Sequence, residues 1–276
     1  MRQRLYKSEK ELVSSKDGAR SFLHSNGVTM KRILDANSIK IIAILAMTID
    51  HIAWICFPGY QHHAPPIMMH IIGRITCPIM CFFIAEGYHH SKNINRYTKR
   101  LFIFAVISHF SYIFFSTGNM DWKAFIPFYD GNILNQTSVM WPLAWGLVML
   151  RIAHSQKIKD PIKYILIIGI CLITFPGDWS CIASLCILAF GTNRGNLKKQ
   201  MFWMIFYVAM YSIVYFFALD KIYGLMQMAV VLSIPVIAMY NGKRGKNAPT
   251  NIFMKYAFYI YYPLHLLVLG FIQYFR

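Results

Sequence analysis

The chain predicts an all-α fold, a polytopic integral membrane helix bundle of about nine transmembrane helices. Three observations carry that prediction. The residues are 57% hydrophobic and only 14% charged, with a mean hydropathy of +0.42; a soluble domain has roughly 45–50% apolar and roughly 25% charged residues. Apolar runs near the ~20 residues needed to cross ~30 Å of hydrocarbon recur from Ser38 onward. Basic residues gather in every second connection between those runs.

Residues 1–37 are polar and mixed in charge, and read as a cytoplasmic N-terminal tail ahead of a membrane domain over 38–276. The expected spans are 38–58, 67–88, 100–118, 133–150, 162–176, 179–193, 201–219, 223–240 and 252–274. The fifth and sixth are short, which suits tilted partners or a re-entrant pair.

A net charge of +17 invites a nucleic-acid reading, but the distribution rules it out. Of 28 Lys and Arg, 24 fall in the tail or in alternate loops, including Lys92, Arg96, Lys99 and Arg100. The other loops and the far terminus hold Lys123, Lys221 and Arg276, and Arg74 alone lies inside a span. The positive-inside rule then places the N-terminus in the cytoplasm and, with nine spans, the C-terminus outside. The six cysteines all fall within spans; they read as packing residues, and no ligand set for a metal emerges.

Ionisable residues inside spans mark function, because a carboxylate at mid-helix costs roughly 2.5–3.5 kcal/mol to insert. Asp50 and His51 sit side by side in the first span. With a rise of about 1.5 Å per residue, Arg74 in the second span and His265 in the last reach a similar outer-half depth. Ser108 and His109 lie in the third span, and Asn135 and Gln136 start the fourth. Asp50 and Arg74 are expected to pair. Neighbours on a helix point about 100° apart, so Asp50 is poorly placed to hold the His51 ring, and another helix must do so. His109 reads as a hydrogen-bonded packing partner, and Glu86 as an anchor for the basic loop that follows it.

Several stretches resemble the TraX family of conjugative-plasmid proteins that acetylate the pilin N-terminus. They are Met47 to His51 (MTIDH), Gly73 to Phe83 (GRITCPIMCFF), Glu86-Gly87-Tyr88, Gly131 to Leu134 (GNIL) and Phe258 to Gly270 (FYIYYPLHLLVLG). That family looks like a branch of the transmembrane acyltransferases, in which a basic residue precedes a first-helix histidine by eleven positions, as Lys40 precedes His51.

The resemblance implies an acetyltransferase with acetyl-CoA as donor and pilin as acceptor. On it, His51 is the general base, His265 its orienting partner or a second acid/base, and Asp50 and Arg74 tune the charge. Asn132 and Asn135 are substrate donors, while Lys40, Arg96, Lys99 and Arg100 hold the coenzyme phosphates. A cavity touching both histidines and open toward the basic loops is the expected geometry. O-acetylation of an envelope glycan, proton-coupled solute transport and a non-catalytic assembly role remain the other readings.

Overall fold

In hydrocarbon a backbone must satisfy its own hydrogen bonds, so apolar runs of this length become helices. The computed structural model describes residues 31–129, 131, 133–245 and 247–275. Helix α1 (Ala36–Cys56) starts at Asp35, whose carboxylate accepts the Ser38 N–H at 2.8 Å. The next two helices, α2 (Ala64–Gly73) and α3 (Thr76–His90), form one bent rod. The bend falls at Arg74-Ile75 because Pro78 has no N–H to offer the Arg74 carbonyl.

Helix α4 (Ile94–Thr117) is capped by Asn93 and stops at Gly118, whose φ of 63° is left-handed. A long connection with one 3₁₀ turn (Trp122–Phe125) leads to three short helices: α5 (Met140–Ala153), α6 (Asp160–Thr174) and α7 (Ser180–Thr192). Helix α8 (Leu197–Ala218) follows. Then α9 (Lys221–Met226), a 3₁₀ stretch (Gln227–Leu232) and α10 (Ser233–Ala238) make one rod, and α11 (Ala248–Tyr274) closes the chain.

The described residues thus form about nine rods and no named strand. Six are long and apolar enough to cross a membrane. Helices α5, α6 and α7 have 14, 15 and 13 residues. At ~1.5 Å per residue they are roughly 20–22 Å long and fall short of the ~30 Å core.

Short α7 packs at the centre against α5, α3 and α8. Gly146 on α5 lets the Ser184 backbone approach, and the Ser184 hydroxyl donates to the Pro142 carbonyl at 2.6 Å. Helix α4 pairs with α11, and α1 lies against α2, α3 and α11. Peripheral α6 turns Tyr164, Ile168 and Leu172 outward. Such outward apolar faces match lipid, where packing rather than water exclusion joins helices.

One end of the bundle carries the basic loops. There the residues before α1 pair with those after α10, with Leu34 N–H on the Met239 carbonyl at 3.0 Å and Asn241 N–H on the Leu34 carbonyl at 2.9 Å. Glu86 accepts two bonds from Arg194 at 2.8 and 3.2 Å and so anchors the α7–α8 turn, rather than the basic loop that follows it in sequence.

The fourth span differs from expectation. Asn135 adopts φ 54°, and residues 136–137 run extended against the α6–α7 turn, so the helix begins only at Met140. Helix α1 begins two residues inside the expected tail, whose first 30 residues lie outside the described ones.

Candidate functional site

Two prolines and a glycine bring the polar side chains together. Gly73 ends α2 against α1; a Cβ there would run into the Asp50 side chain, so only glycine permits this approach. The bend behind it turns Arg74 onto α1, and its guanidinium donates to both Asp50 oxygens at 2.9 and 3.1 Å. Arg74 also donates to Gln227 at 3.1 Å and lies over Trp179, 5.4 Å from the ring centre. Asp50 takes a further bond from His70 Nδ1 at 2.8 Å. His70 is fully buried between Trp54 and Tyr223, and its Nε2 has no partner.

The second cluster sits one residue on. Pro263 interrupts the α11 ladder just before His265. His265 Nδ1 lies 2.8 Å from the Tyr261 carbonyl, and its Nε2 lies 2.7 Å from His51 Nδ1. A carbonyl only accepts, so His265 carries its proton on Nδ1 and presents a bare Nε2. His51 must then donate from Nδ1, which leaves the free lone pair on His51 Nε2. The tautomers of both rings follow from one carbonyl.

A cavity of about 370 Å³ lies beside these clusters. Asp50, His51, Arg74, Asn135, Asp178 and Gln227 supply its polar wall, and Trp54, Tyr112, Trp179, Tyr211, Tyr215 and Tyr262 its aromatic one. Its mouth is framed by Pro58, Gly59 and Tyr60 of the α1–α2 loop, and by Gln273 near the end of α11. Tyr60 and Tyr215 hydroxyls meet at 3.1 Å on that rim, and His62 pairs with Asp220 at 2.9 Å beside it. Slight burial pushes the Asp220 carboxyl up, but the Tyr223 N–H and His62 outweigh it and hold the group below its ordinary range.

The cavity corrects two expectations. Its mouth is at the end opposite the basic loops, and its wall includes His51 but not His265, which touches it only through His51. Lys40, Arg96, Lys99 and Arg100 belong to the basic end, and none lines the cavity. Lys40 lies over the Phe83 ring at 5.6 Å and Arg100 over Tyr97 at 5.7 Å, while Arg96 and Lys99 are exposed. Asn132 lies outside the described residues. His109 is a packing partner, bonded to the Thr137 hydroxyl at 3.1 Å and the Phe125 carbonyl at 2.9 Å. Sequence reasoning missed His70 and Asp178.

These features define a multi-span helical membrane protein with a polar, aromatic-walled cavity built on a buried Asp–Arg pair and a histidine couple. The family described as TraX protein matches residues 35–273, and the chain belongs to the TraX family. A probable fimbrial assembly protein, FimC of serogroup H1, from Dichelobacter nodosus is 28% identical over 252 residues, covering 87% of this chain and 97% of that one. An uncharacterised protein of Rickettsia prowazekii (strain Madrid E) is 35% identical over 69 residues, 25% of this chain and 23% of its own. No solved structure matches.

Proposed function

We propose that this protein is a membrane-embedded acyltransferase that moves an acetyl group from acetyl-CoA to an acceptor, with His51 as general base. The observation that carries the reading is the His51–His265 bond, which leaves the lone pair of His51 Nε2 free on a side chain lining the cavity. Attack on a thioester needs a base for the acceptor's proton and donors for the oxyanion that forms. The Arg74 guanidinium and the Asn135 side chain stand in the same wall as such donors. Asp50 and His70 hold Arg74 in place, and His265 fixes the ring of His51.

On the positive-inside rule the basic end faces the cytoplasm of a bacterial inner membrane, so the cavity mouth faces outward and receives the acceptor. Cytoplasmic acetyl-CoA then binds at the basic end through Lys40, Arg96, Lys99 and Arg100, and its arm has to open a path to the cavity, whose mouth lies at the other end. The fimbrial assembly relative favours a pilin subunit over an envelope glycan as acceptor, and we assign the acceptor group to its N-terminal amine.

The test is acetyl transfer by the purified protein in lipid nanodiscs, with labelled acetyl-CoA and a pilin N-terminal peptide. Transfer that vanishes in His51→Ala supports the reading; a wild type that transfers to neither peptide nor glycan overturns it. A non-catalytic assembly role is the second reading, favoured by how completely Asp50 and Arg74 bond each other; pili made normally with His51→Ala in place would establish it.

A further inference from the structure

The titratable groups that line the cavity carry unequal charge. Asp50 and Asp178 contribute two carboxylates and Arg74 one guanidinium, while His51 is neutral in the tautomer its bonds dictate. In a chain of net charge +17, the cavity lining carries a negative surplus.

Asp178 is the surplus group. Both Asp50 oxygens are committed to Arg74 and one also to His70. The Trp179 backbone N–H steadies the Asp178 carboxylate, and among the described residues no other donor bonds it and no cation stands within ion-pair distance. Arg74 is within electrostatic reach of Asp178, but its hydrogen bonds go to Asp50, Gln227 and the His70 carbonyl.

The backbone holds Asp178 there at a cost. Trp179 and Ser180, the next two residues, have φ of 62° and 48°, a left-handed region that a side-chain-bearing residue holds only where its surroundings over-determine it. The turn is pinned by Gln136 N–H on the Pro176 carbonyl at 2.7 Å and Asp178 N–H on the Thr137 carbonyl at 2.9 Å. Beside it Trp179 stacks on Tyr211 at 5.9 Å, and Tyr211 meets Tyr215 edge-on at 5.6 Å. All three line the same cavity. Arg74 already lies over the Trp179 ring, 5.4 Å from its centre, so the rings left to receive an ammonium group beside this carboxylate are those of Tyr211 and Tyr215.

We propose that Asp178, with Tyr211 and Tyr215, forms a cation subsite that makes the cavity select an ammonium-bearing occupant over a neutral hydroxyl one. The inference rests on the acyl-transfer reading only for the occupant's role as acceptor; the charge selection stands without it. In that role the ammonium sheds one proton to water through the mouth. The neutral nitrogen then bonds to the thioester carbonyl carbon as the C–S bond breaks; His51 takes the second proton and returns it to the leaving thiolate.

The experiment measures binding, so it is independent of turnover. Full-length protein in nanodiscs is titrated with phenethylammonium and with phenethyl alcohol, with tryptophan emission as the readout, because Trp54 and Trp179 line the cavity. The wild type should prefer the cation by about tenfold or more. Asp178→Asn should abolish the preference and Asp178→Glu retain it. Equal affinities in the wild type, or a full preference in folded Asp178→Asn, overturn the subsite. If Asp178→Asn fails to fold, the wild-type pair of titrations decides alone. A cation preference without acetyl transfer leaves the subsite standing and removes the acyltransferase reading; transfer without a cation preference does the reverse.

Discussion

His51 and His265 are 214 residues apart in sequence and share one 2.7 Å hydrogen bond, the direction of which is set by the Tyr261 carbonyl behind His265. The pair therefore acts as a unit, with one ring orienting and the other presenting a lone pair. Replacing each ring separates the two roles. His51→Ala should lower acetyl transfer by about 10²–10⁴-fold, the range for a lost general base. His265→Asn should cost less and leave donor binding unchanged. Equal losses in both variants, measured as transfer in nanodiscs, would count against this division.

Asp50 and Arg74 make a pair whose two side chains are each only 13% exposed. Removing one partner of a buried pair costs about 3–5 kcal/mol, because the survivor is left uncompensated. Arg74→Leu should reduce folded yield sharply, and Asp50→Asn combined with Arg74→Gln should recover part of it. Fluorescence-detected size exclusion of tagged variants reads the order directly.

Gly73 touches the Asp50 side chain with no room to spare. Gly73→Ala should therefore push α2 from α1 and behave like a weakened Asp50–Arg74 pair, whereas Gly169→Ala, which meets open space, should be silent. Thermal unfolding in detergent compares the two.

His109→Gln should change acetyl transfer little. Both ring nitrogens bond groups of the connection between α4 and α5, and the ring does not line the cavity. A loss as large as that of His51→Ala would mean this connection shapes the site.

Single cysteines at residues 62 and 94, in a background stripped of the native six, should label from outside and inside respectively. Reversal would turn the cavity mouth toward the cytoplasm and exchange the sides assigned to donor and acceptor.

Much of this was legible in the sequence. The number of apolar helices followed from hydropathy, though only six of the expected nine spans are long enough to cross, and the meeting of Asp50 with Arg74 and of His51 with His265 followed from depth along helices that run in known directions. His70 was within reach too: it lies four residues before Arg74, on the same helix face, and turns toward the same carboxylate. Asp178 was not. It stands in a Pro-Gly-Asp-Trp turn, and a polar turn reads as surface unless the lengths of the flanking helices are known. Here α6 and α7 are too short to lift that turn to the surface. The cavity's mouth was misjudged for a related reason, since charge patterning identifies the two sides of a protein but says nothing of where the helices part.

On the acyl transfer proposed above, the size of the cavity sets what kind of object is modified. At about 370 Å³ it has room for about a dozen waters at ~30 Å³ each, or a few residues of extended chain. Only a loose end can enter, while the folded body of a protein acceptor rests on the rim formed by the α1–α2 loop and Gln273. A subunit whose end is already packed into a fibre has nothing to insert. On the proposed function, modification thus comes before polymerisation, and assembled fibres offered to the protein should stay unlabelled while free subunits are labelled.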